Sequence, residues 1–353
     1  MKTLLVTAND RPGLSPLTDN SAGALLPVVD KPILIHTIED LARAGIKDVI
    51  VFATHFSSQV SATLDDGDRW GVRFDYVAAQ QPDAEALQRI IEEVNDDLLL
   101  VRGDMLRAPI VAEFLAQVAS NNSAIAEAAI AGQSAGISFV RRGFAAAGSR
   151  LVLSHPSKLR GHSELIDFPD ARFSSIESLS EFHRANLDVL NGRFPGLILA
   201  GRVEHPGVRV GSKSRLPIKS TRGEPIFVGA RCQVASDSEL MSGTIVCSDS
   251  VIDRGAILHR SVVMPRTYVG AMLELSNAIV AGDLLIDVDT GAHTRVAESF
   301  MLASIDARPL AAAVRDAAAR LRAILGMASS KAPVSSEPKK GSDDVAVEEL
   351  QSR

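Results

Sequence analysis

Residues 6–18 read VTANDRPGLSPLT, directly after the apolar opening MKTLL and shortly before LLPVVDKP. The stretch has the outline of a phosphate-receiving turn between a first strand and a first helix. Such a turn uses glycines so that backbone N–H groups can approach an anion, and basic side chains to neutralise it. Here Gly13 is the one glycine, Pro12 removes a donor, Asp10 adds negative charge, and Arg11 is the one residue able to supply a cation. Asp104, in the pair Gly103-Asp104 after the apolar run LLLVR, is the second chemically suggestive position. A carboxylate at a strand end can hold a metal or equally cap the next helix, and the sequence leaves both readings open. His55, His183 and His259 stand apart from other ligand types and read as ordinary surface or coil positions. His183, Asn186 and Asp188 in HRANLD read as the solvated face of a helix. Cys232 and Cys247 lack metal or redox spacing and read as two buried thiols.

The elements that must position these residues follow from periodicity. Short apolar runs at 2–7, 48–54, 72–78 and 98–102 alternate with amphipathic stretches, the pattern of strands and crossover helices in a parallel sheet. Pro32 suits the first turn of a helix reaching about Arg43, with Ile35, Ile38, Leu41 and Ala42 as its apolar stripe and Gly45 as its stop. Ligands of such sheets bind at the carboxyl ends of the strands, where the loop after strand one and Gly103-Asp104 would meet.

The pattern changes near residue 196. Apolar residues recur every six positions at Val228, Val234, Leu240, Val246, Ile252, Leu258 and Met264, with a second column at Ile245, Val251, Ile257, Val263, Val269 and Leu275. This is the signature of a β-helix whose short strands stack coil on coil, with VRVGSKSRLPI as an irregular first coil. Residues 308–326 read as an amphipathic helix capping the last coil, and the polar, Ser- and Pro-rich remainder as a disordered tail. The domains expected are therefore 1–195 (α/β), 196–305 (β-helix), 306–326 (capping helix) and 327–353 (tail).

The 353 residues are 46% hydrophobic and 23% charged, enough for two packed domains, and the net charge of −6 offers no basic surface to nucleic acid. No apolar run approaches a signal-peptide core or a membrane span, so no membrane insertion and a cytoplasmic location are expected.

At this point the residues carry a resemblance. A first strand, a turn ending in PLT, then LLPVVDKP, a helix and IKDVIVFAT is similar to the sugar-1-phosphate nucleotidyltransferases, the NDP-sugar pyrophosphorylases. WGVRFDYVAAQQ, Gly103-Asp104, AGISFV and ESLSEFHRANLDVL also fit. The resemblance implies a Rossmann-like α/β nucleotidyltransferase domain with a mostly parallel sheet, followed by a left-handed parallel β-helix of hexapeptide repeats. It also implies Mg2+ as the cofactor of an active member.

The family turn runs close to L-A-G-G-x-G-T-R-L-x-P-L-T. Matched without gaps, Ala8 and Asn9 stand at the glycine pair, Arg11 at the third glycine, Pro12 at the Thr, Gly13 at the Arg and Gly23 at the Lys. The resemblance thus implies nucleotide contacts at Ala8, Asn9 and Gly13, a substitute catalytic cation in Arg11, and metal positions at Asp104 and, with a two-residue shift from Arg172, at Asp170. Lys31 matches a separate Lys-Pro element. The G-T-A-G-A-L segment near the base is here Pro82 to Leu87 without its glycines, and the long sugar-binding insertion between Asp104 and Gly136 is reduced to a short segment.

Three readings follow. The first is an impaired family member of nucleotide-sugar or polysaccharide metabolism that serves as a nucleotide-sugar-binding or regulatory subunit. The second is an active pyrophosphorylase, for example of mannose or glucose 1-phosphate, using Arg11 and Asp104 with Mg2+. The third is a hexapeptide acyltransferase relying on His259 or His293. The partners expected are a nucleotide or nucleotide-sugar and either a second copy or a pathway enzyme, with self-association through residues 200–300. Restoring Gly13→Arg and Gly23→Lys is not expected to return turnover, because the sugar hairpin is missing. Deleting 327–353 is expected to leave stability unchanged.

Overall fold

A computed structural model describes residues 1–7, 11–53, 56–78, 96–143 and 164–305. Ala8, Asn9, the 82–87 segment, the expected capping helix and the tail lie outside the described residues.

Among the described residues, the first domain is built on a sheet of seven strands: β1 (Lys2–Val6), β2 (Asp48–Ala53), β3 (Arg73–Ala78), β4 (Leu98–Arg102), β5 (Ile125–Ile130), β6 (Gln133–Val140) and β7 (Glu164–Asp167). Their order is β7-β5-β6-β4-β1-β2-β3. β6 runs antiparallel to β4 and β5, and the other pairings are parallel. The central strands carry unbroken apolar runs because both faces are covered: Leu4, Leu5, Leu99 and Val101 are almost fully buried. The α-helices among the described residues are α1 (Ile33–Arg43), α2 (Ser57–Leu64), α3 (Val111–Asn121) and α4 (Leu179–Leu190). Pro32 is the N-cap of α1, and Gly45 turns the chain out of it at φ +80°. Ser178 caps α4 by accepting the Glu181 N–H, while the Glu181 carboxylate reaches back to the Glu177 N–H at 2.7 Å. Among the described residues, no helix is long and apolar enough to cross a membrane.

The second domain is β-rich with stacked parallel strands, consistent with a β-helix. It opens with an antiparallel pair, β8 (Arg202–His205) and β9 (Val208–Val210), after which the chain winds through three sheets. Val228, Val234, Leu240, Val246, Ile252 and Leu258 form the inward column in one core. The six-residue period then slips. Phe227 stacks on Ile245, eighteen residues on, but Ile245 stacks on Val262, only seventeen on. The turn after Leu258 is one residue short, so Val263, Val269 and Leu275 take the inward places and Met264 faces the other way. The expected column ending in Met264 is corrected at that point. Nor does the winding continue to the end: Leu284–Asp287 and His293–Arg295 add antiparallel to the first sheet, and Leu302–Ser304 adds antiparallel to the second.

The two domains share a core. The outer face of the long sheet, with Phe227, Ile245, Val262 and Ile279, packs against Leu26, Val28, Val29, Phe182, Ala185 and Val189 of the first domain. This explains why Ile245 is apolar although it faces away from the β-helix interior.

Candidate functional site

Three parallel strands, β1, β2 and β4, deliver their carboxyl ends side by side. Arg11 precedes a single turn of tight helix, Pro12–Leu14, and its side chain is buried. It folds back, as its position invites, but onto protein groups. One terminal nitrogen lies 2.9 Å from the Asp104 carboxylate. The other donates to the Ile176 carbonyl at 2.7 Å and to the Ser175 carbonyl. Arg102, at the end of β4, grips the same carboxylate bidentately, at 3.1 and 3.0 Å.

Asp104 is therefore a buried carboxylate held by two guanidinia. Burial alone would raise its pKa, but the charges and hydrogen bonds of Arg11 and Arg102 outweigh that and hold the carboxyl below its ordinary value. Arg107 lies behind, donating to the Arg102 carbonyl at 2.9 Å. Burial draws its guanidinium down to about 10 against the opposing charges of Asp40 and Asp104. Asp40, on α1, accepts the Ile110 and Val111 N–H groups at 3.2 and 3.4 Å, satisfying free donors at the start of α3. The helix-capping duty that the sequence left open for Asp104 thus falls to Asp40. Arg102, Arg107 and Asp40 were missed by sequence reasoning, although an Arg inside the apolar run LLLVR was a signal that something buried needed its charge.

The two glycines at the expected cation positions are explained by contacts. A Cβ on Gly13 would overlap the Glu177 carbonyl oxygen, so the loop lies directly on the chain entering α4. A Cβ on Gly23 would sit 3.5 Å from Cδ of Arg11, whose stem fills the space beside it. Lys31 is also engaged, with Glu39 at 2.7 Å and the Ile198 carbonyl at 2.5 Å.

Mg2+, which the resemblance implies, does not fit the donors present. Both Asp104 oxygens are occupied by guanidinia, Asp170 is exposed in a turn, and no group of three His, Cys, Asp or Glu side chains gathers among the described residues.

The helix face expected to be solvated is instead the joint between domains. Asn186 is fully buried on α4: its oxygen accepts the Val29 N–H at 2.8 Å, and its amide donates to the Phe182 carbonyl at 3.0 Å. His183 meets the Arg260 carbonyl at 2.6 Å through Nε2, and burial lowers its pKa, keeping it neutral. Asp30 crosses from the first domain to Ser248, reaching its N–H at 2.7 Å and its hydroxyl at 2.5 Å. Gly229 permits that approach, since a Cβ there would lie 2.6 Å from the Asp30 carboxylate. Burial raises the Asp30 pKa, with the Ser248 bonds opposing it. Cys232 and Cys247 are buried free thiols.

Residues 13–135 match the nucleotidyl transferase family model. The match lies within the first domain. Glucose-1-phosphate thymidylyltransferases are similar to it. That of Streptomyces griseus is 31% identical over 107 residues, covering 30% of each chain. That of Neisseria meningitidis serogroup A is 33% identical over 108 residues, covering 30% of this chain and 38% of the relative. The chain thus spans about a third of the length of the curated relatives it matches. A Bacillus anthracis structure described as a glucose-1-phosphate thymidylyltransferase in complex with a sucrose aligns at 17% identity and a TM-score of 0.44, over 53% of this chain and 94% of that one. In the first domain, the cation that follows β1, Arg11, is turned inward onto Asp104, Ser175 and Ile176.

Proposed function

We propose that this nucleotidyltransferase-family protein acts in nucleotide-sugar or surface-polysaccharide metabolism as a catalytically impaired, nucleotide-sugar-binding or regulatory subunit. The observation that carries this reading is the engagement of Arg11. Its two terminal nitrogens serve Asp104, Ser175 and Ile176, so the one cation of the loop is unavailable to a departing pyrophosphate, and the carboxylate expected to hold a metal is already neutralised. A preorganised donor at such a transition state is typically worth about 10²–10³ in rate. The active reading would require Arg11 to leave two carbonyls and a carboxylate in a buried setting before it could meet a triphosphate.

The relatives' names point to dTTP and glucose 1-phosphate as the first substrates to try, followed by other NTP and sugar 1-phosphate pairs. The expected result is binding of an NDP-sugar or nucleotide in calorimetry without pyrophosphate release above background. Steady release of pyrophosphate with any pair, abolished by Arg11→Met, overturns the impaired reading in favour of the active one.

A further inference from the structure

Among the described residues, the long sheet of the second domain ends at β8, which pairs with β9 on one side only, with a register shift between Val203 and His205. All four β8 residues are exposed, Val203 to 61% and the Arg202 side chain to 78%. The first coil is closed weakly on its other two sides, where single bridges join Arg215 to Gln233 and Thr221 to Leu240. Ile218, in the same coil, is 71% exposed. An end of a β-helix with a free strand edge and exposed apolar side chains normally needs a cover.

The sequence of β8 indicates what that cover is. Arg202, Val203 and Glu204 are self-complementary about their centre. If two β8 edges pair antiparallel around a two-fold axis through Val203, Arg202 of each chain lies opposite Glu204 of the other, twice, and the two Val203 side chains meet. Moving the axis to Arg202 or to Glu204 sets like charges opposite each other, so the charges select one register. Arg202 and Glu204 already lie 2.8 Å apart within one chain, and the pairing extends this into a cluster of four alternating charges. The same axis sets one open coil end against the other, covering Ile218.

We infer that the protein forms a two-fold dimer by end-to-end pairing of β8 with β8 of a second copy, joining two eight-stranded sheets into one. This stands independently of the functional reading above. It narrows the self-association expected through residues 200–300 to one edge and one register.

Sedimentation velocity on the full chain tests it through a charge swap. The wild type is expected to be dimeric at micromolar concentration. Arg202→Glu and Glu204→Arg, each placing four like charges at the edge, should each weaken the dimer at least tenfold. The double swap should restore it, because Glu-Val-Arg is again self-complementary. Mixing the two single variants should give a heterodimer. All these side chains are exposed, so thermal melting should show every variant folded as the wild type. A monomeric wild type, single variants that dimerise as well as the wild type, or a double swap that fails to recover the dimer would each overturn the inference.

Discussion

Gly13 and Gly23 stand where the resemblance expects an Arg and a Lys, yet the structure treats them differently. Gly13 is fixed by the Glu177 backbone, which cannot yield as a flexible side chain would. Gly13→Ala should therefore destabilise the protein by about 1–3 kcal/mol, as overpacking does, whereas Gly23→Ala, at ordinary contact distance from Arg11, should change stability by less than about 0.5 kcal/mol. Urea titration distinguishes them. Equal effects would mean that the loop does not lie on residue 177. Gly13→Arg thus fails for a steric reason that precedes any question of a sugar site, and a Lys at position 23 would set its charge beside Arg11. The buried ion network gives a second test. Removing one partner of such a pair typically costs about 3–5 kcal/mol, so Asp104→Asn and Arg11→Met should both lower the urea midpoint strongly at pH 7. Because the Asp104 pKa is depressed on folding, its contribution is fully present above the ordinary carboxylate value and is lost as pH falls through the folded value. The stability gap between wild type and Asp104→Asn should accordingly narrow below about pH 4. A gap that stays constant with pH would show that Asp104 is not charged in the folded protein.

Among the elements, α4 carries the most weight beyond its own domain. Its capped start places Phe182, Ala185 and Val189 on the long sheet, and its two polar residues, His183 and Asn186, dock on backbone groups of both domains. His183 reaches the Arg260 carbonyl in the shortened turn where the coil length drops, so the irregularity of the β-helix coincides with the seat of the helix. Asn186→Leu should lower stability by about 1–3 kcal/mol by leaving the Val29 N–H without its partner in a buried place. Asp188→Ala, one turn face away and part-exposed in a surface pair with Arg193, should change it by less than about 1 kcal/mol. Equal losses in thermal or urea unfolding would contradict the assignment of the joint to Asn186.

In the whole molecule, the shared core and the Asp30–Ser248 contact couple two domains that the chain composition shift near residue 196 merely separates. A single cooperative unfolding transition is expected for the wild type by calorimetry and by both near- and far-ultraviolet circular dichroism. Asp30→Ala removes the carboxylate bridge to Ser248 and should broaden or split that transition, because the β-rich domain retains its own interior core. Two separate transitions already present in the wild type would show that the shared face contributes little.

The sequence by itself determined the alternation of strands and helices in the first domain and the six-residue apolar column of the second. Both are local periodicities imposed by which face of a short element meets a core. It also determined that the loop after β1 has a single glycine and a single cation, since residue types are read directly. Only the tertiary structure decided where Arg11 goes. Its partners Asp104, Ser175 and Ile176 are brought to it by sheet topology across up to 165 residues of chain. The slip after Leu258 was likewise hidden, because the long sheet is buried on both faces. Inward Val263 and outward Met264 are then equally apolar, and a pattern of hydrophobicity cannot tell one buried face from the other. His183 and Asn186 look solvated in sequence for the complementary reason: a polar side chain enters a core wherever backbone groups from a distant element await it, and that distance is a property of the fold.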